Sequence, residues 1–334
     1  MKSTHTLVAV GCALALSACG GGGGNAGTTT NAPTSTLSYI GQADAAKAAG
    51  SGYAAGALLN QSSTSLTDIV AGVSVAPSQV GVVTPVLDLV KRAFHIDGGQ
   101  LLTGVTKSNA CAGGGNVTIN ATLKNENTLS NGDTLTMTAK DCIESGSTLN
   151  GAFSITISGV SGDFVNGIAG AVMLDTRFTS FSVGDGSTTD TLNGDMKIGL
   201  NIQGATDLSL TVSGASLQAS ERKSGVTVAT RTLTAYSMTG SVHGTTVTAA
   251  SSFSVSGSAN GLGQFAYTVK NVQPFVGKTT DDLPTAGSLV VNGKESSVTA
   301  TVVSNGIRLD YSAKGDGVTT QSSTVVWNDF LAGA

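Results

Sequence analysis

Beyond about residue 100, the sequence alternates between apolar and polar residues with a period of two. This alternation constrains the fold more than any other feature, because a period of two places successive side chains on opposite faces of a β-strand. It is clearest in four stretches, AFSITIS (152–158), DMKIGLNIQ (195–203), DLSLTVS (207–213) and IRLDYSAK (307–314). Each stretch predicts a strand with one face in a core and the other in water.

Asn-Gly pairs punctuate these alternating stretches. They occur at Asn131, Asn150, Asn166, Asn193, Asn260, Asn292 and Asn305. Asn-Gly suits the positive φ angles of a type I′ turn and predicts hairpins. Strand twist accumulates across a sheet of about a dozen or more strands, so the sheet must curl or split into two layers. The predicted fold is therefore all-β: a large curved antiparallel meander, open barrel- or sandwich-like, over residues 99–334, with a short N-terminal helical segment.

The helical segment is predicted over residues 38–98. GQADAAKAAGSGYAAGALL (41–59) is rich in Ala, although its glycines weaken a helix. TPVLDLVKRAFHIDGG (84–99) has a capping Thr84, and Pro85 occupies the first helical position. Its apolar residues share one face, which we expect to pack against the β domain: Val86, Leu89, Val90 and Ala93.

The composition bounds the partners that the chain can have. Charged residues make up 11% of the 334 residues and the net charge is −4, while 40% of residues are apolar. That apolar fraction can form a core. The sequence has no run of Lys and Arg to neutralise a line of phosphates, so no nucleic-acid partner is expected.

The N-terminus has the pattern of an export signal. Lys2 precedes the apolar run LVAVGCALALSA (7–18), which is too short to span a bilayer comfortably. The run ends in Leu16-Ser17-Ala18-Cys19, which resembles the lipobox of bacterial lipoproteins. The resemblance implies a signal peptide at 1–18 and a membrane anchor of acyl chains on Cys19. The alternative is an ordinary cleaved signal peptide with an incidental cysteine.

Residues 19–37 are predicted to be the lipidated cysteine and a flexible tether. The sequence GGGGGNAGTTTNAPTSTL (20–37) is typical of a flexible linker. Position 20 is Gly rather than Asp. In the bacterial sorting pattern that this segment resembles, that difference favours the outer membrane. Display on its periplasmic or its surface face stays open.

Two cysteines remain for the folded body. Cys12 lies in the predicted signal peptide and Cys19 is the predicted lipidation site, which leaves Cys111 and Cys142. The bacterial cell envelope permits disulfides, so we predict that these two pair. The alternative, a metal or redox pair, requires a CxxC motif or a nearby His, and the sequence supplies neither.

Two long segments resemble a group of uncharacterised proteobacterial lipoproteins. They begin CAGGGNVTINATLKNENTLSNGD (111–133) and end KGDGVTTQSSTVVW (314–327). The shared features are a Cys-to-Cys segment with a central Gly-Asp, serial Asn-Gly pairs and a terminal Gly-Asp-Gly followed by Trp. The resemblance implies a long antiparallel sheet and brings no activity with it.

The sequence contains no convincing catalytic constellation. It has no GxSxG motif, and the SxxK match at Ser220–Lys223 lies between strand-like runs rather than at a helix start. His95 and His243 are far apart in sequence, which gives a Ser-His-Asp triad little support. We therefore expect no enzyme and no cofactor.

Two acidic loops resemble calcium loops only faintly. GDGSTTD (184–190) and KGDG (314–317) offer few of the five or six oxygen ligands that Ca²⁺ requires. Polar hairpin turns are the preferred interpretation, and no metal site is predicted.

Two functions remain open. The first is a structural or interaction lipoprotein of the cell envelope. The second is a carrier of an apolar ligand such as a lipid, which requires a cavity lined by residues such as Phe153, Ile155, Ile198 and Leu200. Trp327 and Phe330, near the end of the sequence, are expected to pack in the core, with a binding platform or a cap on the end of the sheet as the alternatives.

Overall fold

The structure, a computed structural model, is dominated by one antiparallel β-sheet. It describes residues 36–59, 83, 86, 87, 89, 90, 104, 106–125, 128–144, 146–163, 169–204, 206–281 and 283–332. The described strands are β1 (Thr106–Ala110), β2 (Asn116–Thr122), β3 (Thr134–Glu144), β4 (Ser147–Asp163), β5 (Ala169–Gly184), β6 (Thr188–Gly204), β7 (Asp207–Lys223), β8 (Val226–His243), β9 (Thr246–Ala259), β10 (Gly263–Lys278), β11 (Ala286–Gly293), β12 (Ser296–Val303), β13 (Gly306–Ser312) and β14 (Gln321–Val325).

The fourteen strands follow one another across the sheet in chain order, and each is antiparallel to the next. Among the described strands, β1 and β14 form the two edges and do not pair, so the sheet is open. The predicted all-β meander is confirmed, and the strands form one sheet rather than two.

Alternating burial gives the sheet a core side and a water side. On β6, Met196, Ile198, Leu200 and Ile202 are buried, whereas Lys197 between them is exposed. The stretches on β4 and β7 behave in the same way, and so does the stretch on β13 as far as Tyr311. One contiguous core contains the buried side chains of the strands and of the helices. A single sheet can enclose one face in this way only by curving around it.

β-bulges accompany the curvature, since a bulge bends its strand and increases the local twist. The pairing register shifts between every two neighbouring strands from β3 to β11. Asn side chains accept hydrogen bonds from backbone N–H groups beside these shifts. The pairs are Asn150 with Asp141, Asn193 with Ser180 and Asn271 with Ser251, each at 2.8 Å.

This arrangement corrects part of the turn prediction. Asn131, Asn260 and Asn305 lie in turns between strands, as expected. Asn150 and Asn193 lie inside β4 and β6, at bulges. The positive φ of the glycine that follows each of them serves a bulge rather than a hairpin. Asn292 lies within β11, and Asn166 lies outside the described residues.

Helix α1 (Ala45–Leu59) follows a short 3₁₀ helix at Gln42–Asp44 and contacts β8, β9, β11, β12 and β13. Four residues of the second predicted helix, together with Val83 just before it, are helical and fully buried: Val86, Leu87, Leu89 and Val90. Thr84, Pro85 and Ala93 lie outside the described residues. None of the described helices is long and apolar enough to cross a membrane.

A short helix, α2 (Trp327–Ala332), packs against α1. The ring of Tyr53 on α1 makes edge contacts with Phe275, Trp327 and Phe330, at centroid distances of 5.4 to 5.7 Å. Phe330 is buried and Trp327 is half-buried, as core packing predicts.

Candidate functional site

Cys111 and Cys142 form the predicted disulfide. Their Cα atoms are 5.4 Å apart, and the bond joins the turn after β1 to β3. Both residues are buried. The bond closes a loop of 31 residues at the first edge of the sheet, so its role there is structural.

A carboxylate lies beside this disulfide. Among the described residues, one group of three side chains has the atom types and spacing of a metal site: the two cysteine sulfurs and Glu144, with ligand atoms within 4.8 Å of one another. Glu144 accepts a hydrogen bond from the backbone N–H of Ala112 at 3.1 Å. Metal binding by cysteine needs the thiolate, and the disulfide consumes both thiols. The group is therefore not a metal centre in the oxidised protein.

The first acidic loop does not assemble a calcium site. Asp185 accepts hydrogen bonds from the backbone N–H groups of Ser187 and Thr188 and from the Ser187 hydroxyl, all within 2.9 Å. These bonds, led by the one from Thr188, lower the pKa of Asp185. Asp190 is buried on the core side of β6 instead of joining the loop.

The second acidic loop is also a turn. Asp316 accepts hydrogen bonds from the backbone N–H of Val318 at 2.9 Å and from the Ser312 hydroxyl at 3.0 Å. Asp310, the other acid of this region, pairs with Arg308 on β13 at 2.9 Å. Both carboxylates therefore have partners from the protein itself.

The catalytic motifs considered in the sequence lie on strands. Ser220–Lys223 is the last part of β7 and leads into the Ser224-Gly225 turn, so Lys223 does not stand one helical turn from Ser220. His243 is exposed at the end of β8 and hydrogen-bonds to Asp207 across the β7–β8 pair. His95 and Cys19 lie outside the described residues, so lipidation of Cys19 remains a prediction.

The central Gly-Asp of the Cys-to-Cys segment has a structural role. Asp133 is fully buried and accepts hydrogen bonds from the backbone N–H groups of Lys124 at 2.9 Å and Ser130 at 2.7 Å. Its carboxylate therefore orders the connection between β2 and β3.

A buried charged cluster lies elsewhere, where three neighbouring strands meet on the core side of the sheet. It consists of Asp190 on β6, Glu221 and Lys223 on β7, and Arg231 on β8. Asp190 lies directly opposite Glu221 in the β6–β7 register. Arg231 lies opposite Ala219 in the β7–β8 register, two positions from the partner of Glu221. We call these four residues the Arg231 cluster.

Ion pairs join three members of the cluster. Glu221 accepts from Arg231 Nη1 at 3.0 Å and lies 3.0 Å from Lys223 Nζ. The side chain of Arg231 is 3% exposed and that of Glu221 is 17% exposed, whereas that of Lys223 is 57% exposed. The cluster therefore runs from a buried guanidinium to an ammonium group in solvent.

The carboxyl groups of the cluster have opposite pKa shifts. Burial, followed by the negative charge of Glu221, raises the pKa of Asp190 to about 7. Burial also raises the pKa of Glu221, but hydrogen bonds from Arg231 and Lys223 outweigh it, so this pKa lies below its ordinary value. At neutral pH the cluster therefore holds an ionised Glu221 and an Asp190 that titrates.

Sequence reasoning did not find this cluster, although a signal was present. In β8, Ala229, Arg231 and Leu233 occupy successive core-facing positions, so a charged residue replaces an apolar one in the alternating pattern. Asp190 similarly precedes Leu192 on the core side of β6. Burying a charged side chain at a core-facing position costs free energy unless the charge has a partner. A charged residue at such a position in an alternating strand is therefore a candidate functional residue.

Comparison with protein families, curated proteins and solved structures found no match for the chain.

Proposed function

We propose that the chain is a lipid-anchored protein of the bacterial cell envelope, held at the outer membrane through Cys19, and that its sheet is a structural or interaction module. The lipobox-like Leu16-Ser17-Ala18-Cys19 and the glycines after it support the anchor. The compact unit Ser35–Ala334 begins near the end of the predicted linker. This order of anchor, tether and folded body is what a membrane-held module needs.

The first described residues of that unit are fixed to the sheet. The backbone N–H of Ser38 donates to the Ala266 carbonyl, and the Ser38 carbonyl accepts from the Lys294 N–H, each at 2.9 Å. The backbone N–H of Ile40 donates to the Ser296 hydroxyl at 2.8 Å, and the Tyr311 hydroxyl donates to the Ile40 carbonyl at 3.0 Å. A pull on the tether would therefore be borne by three strands, β10, β12 and β13, and by the turn between β11 and β12, rather than by a loose end.

One observation carries the choice of a module over a carrier: the protein's own side chains pack where a carrier would hold its ligand. Phe153, Ile155, Ile198 and Leu200 are each at most 1% exposed. The Phe153 ring contacts those of Phe178 and Phe181, with centroids 6.1 and 4.9 Å apart.

The water side of the sheet is the surface available for contacts. Its residues are mostly Ser, Thr and Asn, and the charges on it are scattered, with an isolated pair at Asp175 and Lys197, 3.5 Å apart. Such a surface suits polar contact with envelope components, and it lacks the positive field that nucleic acid would require.

Fractionation of a Gram-negative host tests the anchor. The wild-type chain should sediment with the outer membrane, and Cys19→Ser should not be retained there. Cys12→Ser, which changes a cysteine inside the predicted signal peptide, is the matched control and should behave as wild type. Equal distribution of the wild type and Cys19→Ser would overturn the anchor.

Native mass spectrometry of the membrane-extracted chain tests the module against the carrier. The module should give a mass that the polypeptide and its anchor account for. An additional apolar mass, lost in a folded Ile198→Asp variant, would establish the carrier instead.

A further inference from the structure

The guanidinium of Arg231 has an unused edge. Its Nη1 atom is bonded to Glu221, but Nε and Nη2 are buried and have no hydrogen-bond partner in the described part of the chain. Nε–H and Nη2–H point in parallel from the same side of the planar group. This is the fork that binds two oxygens of a carboxylate or phosphate at once.

A buried donor without a partner carries the cost of its lost hydration. Two such donors on one charged group are therefore an unusual feature of a folded protein. An oxyanion accepting from both of them would remove this cost.

We propose that Arg231 binds an oxyanion: its Nε–H and Nη2–H hold the carboxylate or phosphate group of a small molecule on the core side of the sheet, beside Glu221. This site goes beyond the proposed envelope module and does not depend on lipidation of Cys19.

The charges of the cluster do not balance when Asp190 is protonated, so one more negative charge can be accommodated. Lys223 and Arg231 bring two positive charges and Glu221 brings one negative charge. When Asp190 is protonated, the cluster therefore carries a net charge of +1, which a bound monoanion neutralises. When Asp190 is ionised, its own carboxylate fills that role, and a second anion is repelled.

Binding is therefore coupled to the protonation of Asp190. The groups that act on Asp190 are Glu221 and Asp185, which disfavour its negative charge, and Arg231 and Lys223, which favour it. Because the pKa of Asp190 is about 7, anion affinity should rise as the pH falls from about 8 to about 6. Anion binding should in turn raise the pKa of Asp190.

The neighbours of the cluster limit what the bound group can be. The site lies at the end of β7, where Glu221 and Lys223 reach solvent beside the Ser224-Gly225 turn. On the other side, Leu192 and Leu233 are fully buried. The bound group is therefore a small oxyanion that enters from this end, either a free ion or the head group of an amphiphile.

The test uses the full chain, extracted from membranes in a neutral detergent and labelled with ¹⁵N-arginine. Four probes are titrated at pH 6 and pH 8: acetate, inorganic phosphate, dodecanoate and dodecyl phosphate. The Nε–H resonance of Arg231, assigned by its loss in Arg231→Lys, should shift saturably with at least one probe. Isothermal titration calorimetry, which does not need this resonance, should show that affinity for that probe is at least ~10-fold weaker in Arg231→Lys, which keeps the charge and loses the fork.

Two matched variants complete the design. Arg177→Lys, an exposed position on β5, should bind as wild type does. Asp190→Asn, which cannot ionise, should bind acetate and dodecanoate equally at pH 6 and pH 8, whereas the two phosphate probes change their own charge in this range and are compared with wild type at each pH. Saturation by acetate or phosphate assigns a free ion, whereas saturation only by a dodecyl probe assigns an amphiphile head group.

The proposal is overturned if no probe moves the Arg231 Nε–H resonance saturably. It is also overturned if a folded Arg231→Lys variant binds as tightly as the wild type. If Arg231→Lys fails to fold, Arg177→Lys and the other single-arginine variants assign the Arg231 resonance by elimination. The presence or absence of a saturable shift in the wild-type titration then tests the proposal by itself.

Discussion

The side-chain oxygen of Asn193 on β6 accepts a hydrogen bond at 2.8 Å from the backbone N–H of Ser180 on β5. Ser180 has a φ of 47° and lies where the β5–β6 register shifts. Its N–H therefore leaves the regular ladder and needs another acceptor. Asn150 on β4 accepts from the backbone N–H of Asp141 on β3 in the same way, also at 2.8 Å. Within long strands, then, the Asn of an Asn-Gly pair completes the hydrogen bonding of a bulge.

The glycine after Asn150 should be intolerant of any side chain. Gly151 has a φ of 93°, and a Cβ there would overlap the Ser180 carbonyl. Gly151→Ala should lower the free energy of unfolding, measured in urea by circular dichroism, by at least ~2 kcal/mol. Gly159→Ala on the same strand is the control, because its Cβ would lie 3.4 Å from Met173 Cβ. Equal losses in the two variants would refute the bulge account.

The disulfide should stabilise the first edge of the sheet. Closing its 31-residue loop restricts the unfolded chain by about 3–4 kcal/mol in the chain-entropy model. Cys111→Ala with Cys142→Ala should lower the free energy of unfolding by about that amount. The matched control is unfolding of both proteins under reducing conditions, where the bond is absent from each and the difference should vanish. A double variant as stable as the oxidised wild type would contradict a stabilising role.

Asp190 should make stability depend on pH. Because its pKa is raised to about 7, the folded state retains a proton that the unfolded state releases near pH 4. Stability therefore falls as the pH rises from about 4 to about 7, and this contribution is constant above that range. Asp190→Asn has no carboxyl group to ionise, so its free energy of unfolding should not fall over this pH range. At pH 8 it should be more stable than wild type by about 2–4 kcal/mol.

Urea unfolding at pH 4.5 and pH 8 measures this difference. Asp175→Asn, at an exposed carboxylate on β5, is the control and should keep the wild-type pH profile, because it retains Asp190. An Asp190→Asn variant with the wild-type pH profile would show that Asp190 ionises as it does in an unfolded chain.

The connection between the first described residues and the sheet should depend on Ser296. Its buried hydroxyl accepts the Ile40 N–H at 2.8 Å. Ser296→Ala leaves that N–H without its partner and should cost about 1–3 kcal/mol. Hydrogen exchange of the Ile40 amide should accelerate, while Ser323→Ala, on the exposed β14, should leave it unchanged. An unchanged Ile40 exchange rate in Ser296→Ala would contradict this attachment.

The sheet could be predicted from the sequence because alternation is a local signal. The core residues of β6, from Met196 to Ile202, follow from their spacing alone. The bulges at Asn150 and Asn193 could not be told from turns, because the same positive φ of glycine suits both. The contact of Tyr53 with Trp327 joins residues 274 positions apart in the sequence, and no local pattern encodes it.

The Arg231 cluster could be predicted only in part. The alternation of apolar and polar residues in β8 places Arg231 on the core side of the strand. Its meeting with Asp190 and Glu221 required the register of three strands. Register depends on where the bulges fall, and that was the part of the fold that the sequence left ambiguous.

Mass spectrometry of the mature N-terminus tests the central functional proposal most directly. The full chain is expressed in a Gram-negative host, extracted from membranes and digested, and its N-terminal peptide is isolated. The account predicts a peptide that begins at Cys19 and carries the mass of a diacylglycerol and an amide-linked acyl chain. An N-terminal peptide without acyl groups, or one that begins at another residue, would contradict the anchor and the envelope function built on it.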